Sequence, residues 1–595
     1  MQVNDNSAAI PPTGFELRNE GLYFGEDEKD WVCSAIKVLA YTRDEHSANW
    51  GRLVSFEDLD GYLHTLVIAM DLMIGDCSEL YSLLLSHGLR VNTKRSIRNK
   101  LPEYLQNIKL SVKALCTSRI GWHGDYFILP EGAIPPTGTI YLQTDNHNFA
   151  GFKASRTLEE WQDNVAKPCQ SNSRLIFAIC CAFASPLMPS LNAESGGFNL
   201  KGTSSIGKST ALHVAASVWG SPKYTQQWKA ISNALEAVAE AHNNALLCLD
   251  ELGQIDGKDA AEIAYMLANG SGKNRLRARG GLQKRFEWQL MFLSTGEISI
   301  SDKVYDAGKK APAGILTRIV DIPADPRKGH GIFDTVGAFD NGNRLAHHLK
   351  EQVARYYGTP IRKYLHQLAL NKEQLVKVAE RANQEFLSKY VKEGVDGQVQ
   401  RVARRFAMLV TAGYLAIDYH ILPYTKEEVL TAIGECFQAW LEERGTTGAY
   451  ELEHAIKQVR GFFQTHASSR FAVMPSDYEM EDPFANSTQD KIINQAGFKR
   501  KTATGDYEFF VFPETFRKEV CQGLNPILVC HELEKLGILK RGSKKKFTKS
   551  QRLPTGKAYV YHLLPNILTE PDDNLDAEVG NDNSGGDGGD KGRHN

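Results

Sequence analysis

The ten cysteines of this chain include no CxxC pair, so the ligand spacing of a zinc ribbon is missing. They are dispersed, and several fall in apolar runs, such as Cys180 and Cys181 in LIFAICCAFA. Reduced core thiols in an intracellular protein are the expectation. Long apolar runs are lacking too. The longest, Leu175 to Leu187, falls short of the about 20 residues that span a bilayer. The opening MQVNDNSAAIPPTG has no basic start and no apolar stretch, which is not the pattern of a signal peptide. A cytoplasmic protein without membrane attachment is expected. Charge of one sign is also missing: 69 Lys and Arg stand against 71 Asp and Glu, a net of -2. That balance excludes a uniformly basic coat for nucleic acid and confines any such contact to local patches. No internal repeat and no primase or nuclease constellation stands out.

What is present is long enough, at 595 residues, for three or four domains. Residues 1–13 read as a flexible N-terminus. Residues 14–150 alternate β-like runs (AIKVLAYT, GRLVSF, LHTLVIAM, KLSVKALC, GDYFILP) with one amphipathic helix, SELYSLLLSHGL, and read as an α+β domain. Residues 151–196 form a helical linker that PLMPSLNAESGG interrupts. Residues 197–342 repeat apolar strand, turn and helix, the pattern of a parallel α/β core. Residues 343–445 are helix-rich. Residues 446–568 mix helices with short strands. Residues 569–595, acidic, Gly-rich and almost free of apolar side chains, cannot bury enough surface to fold and are expected to be disordered.

The segment GTSSIGKS, with Gly202, Thr203, Ser204, Ser205, Ile206, Gly207, Lys208 and Ser209, fits G-x-x-x-x-G-K-[ST] and leads into a helix at Thr210. It follows the apolar GFNL, so the strand–loop–helix context is right. Glycines let backbone N–H groups turn toward phosphates at the positive end of a helix. Lys208 would reach the β and γ phosphates, and Ser209 would hold Mg²⁺. ALLCLDE then reads as a buried strand ending in two acids. Asp250 is assigned to the metal and Glu251 to the attacking water. A third strand, QLMFLST, offers Thr295, with Ser294 beside it, as a polar group near the γ phosphate. Arg318 in GILTRIVDIP fits a finger for transition-state charge, supplied to a neighbouring subunit; the plainer alternative is an ion pair with Asp321 or another acid. Of Arg401, Arg404 and Arg405 on one helix, Arg401 is the candidate to reach the nucleotide from a helical lid.

Two segments carry local positive charge. SGKNRLRARGGLQKR contains Lys273, Arg275, Arg277 and Arg279 with no acid, and its place between the second and third strands suits a hairpin that tracks a phosphate backbone. KRGSKKKFTK, with Lys544, Lys545 and Lys546, lies between a helix and the strand-like KAYVYHLL. Helix, basic loop and strand suggest a winged-helix-like region whose wing meets DNA. In each case a solvated charged loop is the alternative.

GFNLKGTSSIGKSTAL, WKAISNALE, LLCLDELGQID, AYMLANGSGKNR and FLSTGE resemble the family known as domain of unknown function 927, over about residues 14 to 420. That domain occurs in proteins of plasmids, prophages and integrative elements. Members on staphylococcal cassette elements are similar to MCM-like replicative helicases. The resemblance implies a homo-hexameric AAA+ helicase that uses ATP and Mg²⁺ on DNA, single-stranded by expectation, with element-encoded replication proteins as further partners. Two positions depart from the MCM pattern. Arg318 sits in TRIVD rather than an Arg-Phe-Asp context, and Ser294 and Thr295 stand where Asn is usual. The combined expectation is an α/β AAA+ P-loop core with a helical lid, an α+β N-terminal domain and a winged-helix-like C-terminal domain. The expected function is a DNA helicase or translocase replicating a mobile element; the rivals are a DNA-sensing ATPase switch and an origin-binding or loader protein that does not unwind.

Overall fold

The computed structural model describes residues 9–27, 29–144, 149–231, 234–273, 285–300, 302–303, 317–444, 450–474, 492–522, 524–543 and 546–569. They divide into two compact units, one up to Thr447 and one from Gly448.

The first unit begins with a three-stranded antiparallel sheet of residues 15–18, 21–24 and 30–33, followed by a five-stranded mixed sheet in the order 140–142, 113–117, 37–43, 51–57, 63–69. Helices Ser78–Ser86 and Lys100–Asn107 bury Leu80, Leu84, Leu101 and Leu105 with Val54, Phe56 and Ile68 of that sheet. Burial alternates along Lys37–Arg43, where Val38, Ala40 and Thr42 turn inward, whereas Gly51–Phe56 is buried throughout. The strands and the helix expected from the N-terminal sequence pattern are all present.

A second sheet positions the site. Its strands are β1 (Gly196–Lys201), β2 (Gln226–Gln227), β3 (Leu246–Asp250), β4 (Met291–Gly296) and β5 (Ile319–Pro323). They lie in the order β2-β3-β4-β1-β5, all parallel. Helices cover both faces, which is why the strands read as continuous apolar runs. On one face, helices Ser173–Ala184 and Lys208–Trp219 join one large core with Phe198, Leu200, Met291 and Val320. On the other, Trp228, Ala260, Leu267 and Trp288 pack with Leu249 and Phe292. Helix Ser173–Ala184 is buried all round. Helices Gly397–Asp418 and Lys426–Arg444 pack onto it, and Phe406, Leu409 and Phe437 join the same core. All ten cysteines are buried and unpaired.

One polar pair inside this sheet has a thermodynamic signature. Asp321 of β5 accepts hydrogen bonds from Asn199 Nδ2 at 2.7 Å and Ile300 N at 3.2 Å. Burial outweighs these bonds and lifts its carboxyl from 3.8 to about 6. The folded chain therefore holds a proton that the unfolded chain releases, between about pH 4 and about pH 6. Stability from this group is full below pH 4 and is lost as pH rises through 6, by up to about 3 kcal/mol. Asp321→Asn should remove that loss. Its new amide can also donate to Asn199 Oδ1, which has no partner among the described residues. Urea midpoints of the two proteins should diverge between pH 4 and 6, with the variant ahead above 6. Parallel curves would show that Asp321 stays ionised throughout.

The second unit holds helices Tyr450–His466 and Pro526–Lys535 and a sheet ordered 471–473, 497–501, 507–511, 556–563, 539–540, with Lys549–Leu553 pairing along Gly556–Leu563. Phe463, Phe509, Phe516, Val529 and Leu533 form its main core.

Candidate active site

In a parallel sheet the loops that carry chemistry leave from the carboxyl ends of the strands, where helix N-termini also converge. Here those ends are Lys201, Asp250 and Gly296. They border a cleft of about 870 Å³, in the size range of small-ligand sites.

The loop after β1 is shaped by its glycines. Gly207 has φ +98°, and a Cβ there would stand 2.7 Å from Ile332 Cγ2. It caps helix Lys208–Trp219, so the free N–H groups of the first turn open into the cleft. Residues Ser204 to Thr210 line the cleft. Gly202 lies beneath, its N–H donating to Gly296 O at 3.2 Å. The Lys208 ammonium donates to the carbonyls of Gly202 at 2.8 Å and Thr203 at 2.6 Å. Burial lowers its pKa, while Glu297 and Asp250 pull the other way. A polyphosphate would meet a partly desolvated cation and a ring of N–H donors.

Asp250 is the hub of the floor. Its Oδ1 accepts from Ser209 Oγ at 3.3 Å, from Glu251 N at 3.0 Å and from Thr295 Oγ1. Ser209 and Asp250 thus set two hard oxygen donors side by side, a fit for Mg²⁺ that keeps its waters. Glu251 takes a left-handed backbone, φ 63° and ψ 55°, which costs a non-glycine residue on the order of 1 kcal/mol. That turn aims its N–H back at Asp250 and leaves its carboxylate exposed in the cleft, where Gln254 Nε2 donates to it. Strand alternation separates the two hydroxyls of β4. Thr295 faces Asp250, whereas Ser294 turns to the other layer and accepts from Trp228 Nε1 at 2.8 Å. Ser294 is therefore outside the cleft.

The far wall comes from segments that the sequence motifs did not mark: Gly329 to Gly331, Phe333, and Asn341 to Asn343 with Ala346. Ile332 N donates to Ile206 O at 2.7 Å, which ties this wall to the loop after β1. Gly331 has φ +67°, and a Cβ there would stand 2.6 Å from the same carbonyl. The visible signal was the Gly-x-Gly spacing in KGHGIF. Glu297 was missed beside Thr295 for a simpler reason: it lies one residue past the strand.

The arginines stand elsewhere. Arg318 precedes β5, at the end of the sheet opposite the cleft, roughly 16 Å away by five residues of strand rise. It binds Glu194 Oε2 at 2.9 Å and Asn269 Oδ1 at 2.8 Å, and not Asp321, whose carboxylate is taken up by Asn199. Arg405 lies beside it. A Cβ on Gly196 would come within 2.8 Å of Arg405 Nη1, an atom without a partner among the described residues. Burial pushes Arg405 down to about 10, against the attraction of Glu194. Arg401, exposed on helix Gly397–Asp418, does not line the cleft. The helix lays Arg405, not Arg401, against the sheet because Val402, Ala403 and Phe406 are the buried neighbours.

Of the basic segments, Lys273 is described: its N–H donates to Glu236 and its ammonium pairs with Glu262. Arg275, Arg277 and Arg279 lie outside the described residues, as do Lys544 and Lys545. Lys546 sets its ammonium 5.6 Å from the ring centre of Tyr559. Among the described residues no helix is long and apolar enough to cross a membrane.

Comparison with known proteins agrees with this architecture. Residues 14–287 match the family model described as domain of unknown function (DUF927). No curated protein matches. A solved structure described as "SCCmec type IV Cch - active helicase" superposes with a TM-score of 0.67, at 18% identity, over 94% of this chain and 99% of that one. The two chains share a fold along nearly their whole length.

Proposed function

We propose that the chain is an ATP-hydrolysing AAA+ motor that moves along or unwinds DNA for a mobile element. The observation that carries this reading is the convergence of Lys208, Ser209, Asp250, Glu251 and Thr295 on one cleft at the carboxyl edge of a sheet whose β4 separates β1 from β3. Loop N–H groups and Lys208 bind the phosphates. Glu251 accepts the proton of the attacking water. Thr295 holds Asp250 in place and lies close enough to orient that water. Mg²⁺, held by Ser209 and Asp250, would neutralise charge on the β and γ oxygens.

The same reading assigns helices Gly342–Arg444 to the lid and the second unit to a winged-helix-like domain. Arg318 cannot serve its own chain's cleft, so it acts on a neighbour's in a homo-hexameric ring. Arg405 is its half-buried support, and Glu194 holds the pair when no phosphate is near. The basic segment around Lys273, Arg275, Arg277 and Arg279 grips single-stranded DNA, and Lys544 to Lys546 belong to the wing. The full-length likeness to a protein described as an active helicase favours a motor over a switch.

A forked DNA with one labelled strand tests the reading. Displacement should require ATP and Mg²⁺, and the mass of the protein should rise to that of a ring in the same buffer. DNA-stimulated hydrolysis without displacement would instead identify a DNA-sensing switch or a loader.

A further inference from the structure

The last strand pair of the second unit carries charge that its own packing does not explain. Lys549–Leu553 and Gly556–Leu563 form an antiparallel hairpin. Leu553, Ala558 and Val560 turn inward onto Met474, Phe498 and Phe510. Strand alternation puts Ser550, Arg552, Lys557 and Tyr559 on the other face, and all four are exposed. The register sets Arg552 directly across from Lys557, and Ser550 across from Tyr559. Like charges directly opposite each other weaken a strand pair. Along the sequence no acid stands close to them, since none occurs from Lys540 to Leu564. The acids of the preceding helix, Glu532 and Glu534, are engaged with Lys535 and Arg541. Tyr559 is 58% exposed, and the Lys546 ammonium sits over its ring.

We propose that this hairpin face binds a single-stranded nucleic acid, with Arg552, Lys557 and Lys546 on phosphates and Tyr559 under a base. Cations interleaved with an exposed aromatic ring are what a single strand needs, because every unpaired base offers a flat face. Lys557 and Tyr559 are two residues apart on one strand face, about 6.7 Å, a step that an extended strand covers with about one nucleotide. A duplex hides its base faces in the stack and would leave Tyr559 idle. The phosphate contacts carry no sequence information, so binding is indifferent to base order. The inference builds on the DNA-motor reading but does not need hydrolysis.

The test uses the full chain without nucleotide and a labelled oligo-dT strand, read by anisotropy across a salt series. Arg552→Gln with Lys557→Gln should flatten the slope of log K against log salt by about 1.4, at about 0.7 per phosphate contact. Tyr559→Ala should weaken binding on the order of tenfold, while Tyr559→Phe should bind like the parent. These side chains are exposed and the double change relieves a like-charge pair, so thermal midpoints should not fall. Lys208→Ala should bind oligo-dT normally. A chain without ATPase activity but with hairpin-dependent oligo-dT binding would sink the motor reading and keep this one. An unchanged slope and affinity in the double variant would overturn the proposal. So would equal losses on a duplex with no effect of Tyr559→Ala, or equal competition by poly-glutamate of matched charge.

Discussion

Glu251→Gln should bind ATP about as well as the parent and lose on the order of 10³-fold in turnover, the scale of a missing general base. The amide keeps the size of the side chain and can still accept from Gln254. Its backbone N–H still closes onto Asp250 at 3.0 Å, so the Asp250 carboxylate stays in place. What is lost is the ability to take a proton from water. The chain should therefore stall with ATP bound. Equilibrium binding of labelled ATP and steady-state phosphate release separate the two effects. Turnover near the parent rate would mean that another group is the base, and Glu297, which also lines the cleft, would be the first to replace.

Arg318→Ala should leave nucleotide binding unchanged and also cost on the order of 10³-fold in turnover, the low end for a missing finger. The residue sits at the far end of the sheet, so no contact within its own cleft is removed. Glu194 and Asn269 lose a partner, but Arg405 remains beside Glu194 and limits the damage to the fold. Mixing Arg318→Ala with Lys208→Ala protein is the decisive measurement. Each is inactive alone, yet one kind of interface in the mixture pairs an intact loop with an intact finger. Partial recovery that depends on the mixing ratio is expected. No recovery at any ratio would make Arg318 an ordinary ion-pair residue of its own chain.

The parts of this site that stood out in the sequence are those whose chemistry forces a short, contiguous pattern. A loop that cradles phosphates needs its glycines and lysine within eight residues, and a strand that ends in Asp250 and Glu251 announces itself by the apolar run before it. The far wall offered only the Gly-x-Gly of KGHGIF, because Gly329 to Ala346 reaches the cleft through tertiary packing on Ile206 and not through a motif with its own chemistry. The choice between Ser294 and Thr295 needed the strand's orientation, which a run buried on both faces does not reveal. Arg401 and Arg405 are one helical turn apart, so the pattern of cations alone could not say which would meet the sheet; the burial of Val402 and Phe406 decides it. The N-terminal strands were legible for a different reason, since VLAYT and LVIA are compact apolar and β-branched runs set off by turns.

Strand β4, Met-Phe-Leu-Ser-Thr-Gly, is buried on both sides and so has no wet face to fix which way up it lies. Its two adjacent hydroxyls act as a key with two teeth. If the strand slipped one residue so that Ser294 met Asp250, Leu293 would face the Trp228 indole and orphan a buried N–H, a loss of about 1–3 kcal/mol. If it slipped the other way, Thr295 would satisfy the indole, but Gly296 would face Asp250 with no hydroxyl to give. Only one setting seats both teeth. Trp228, which does not line the cleft, thus serves as the alignment stop for Thr295, which does.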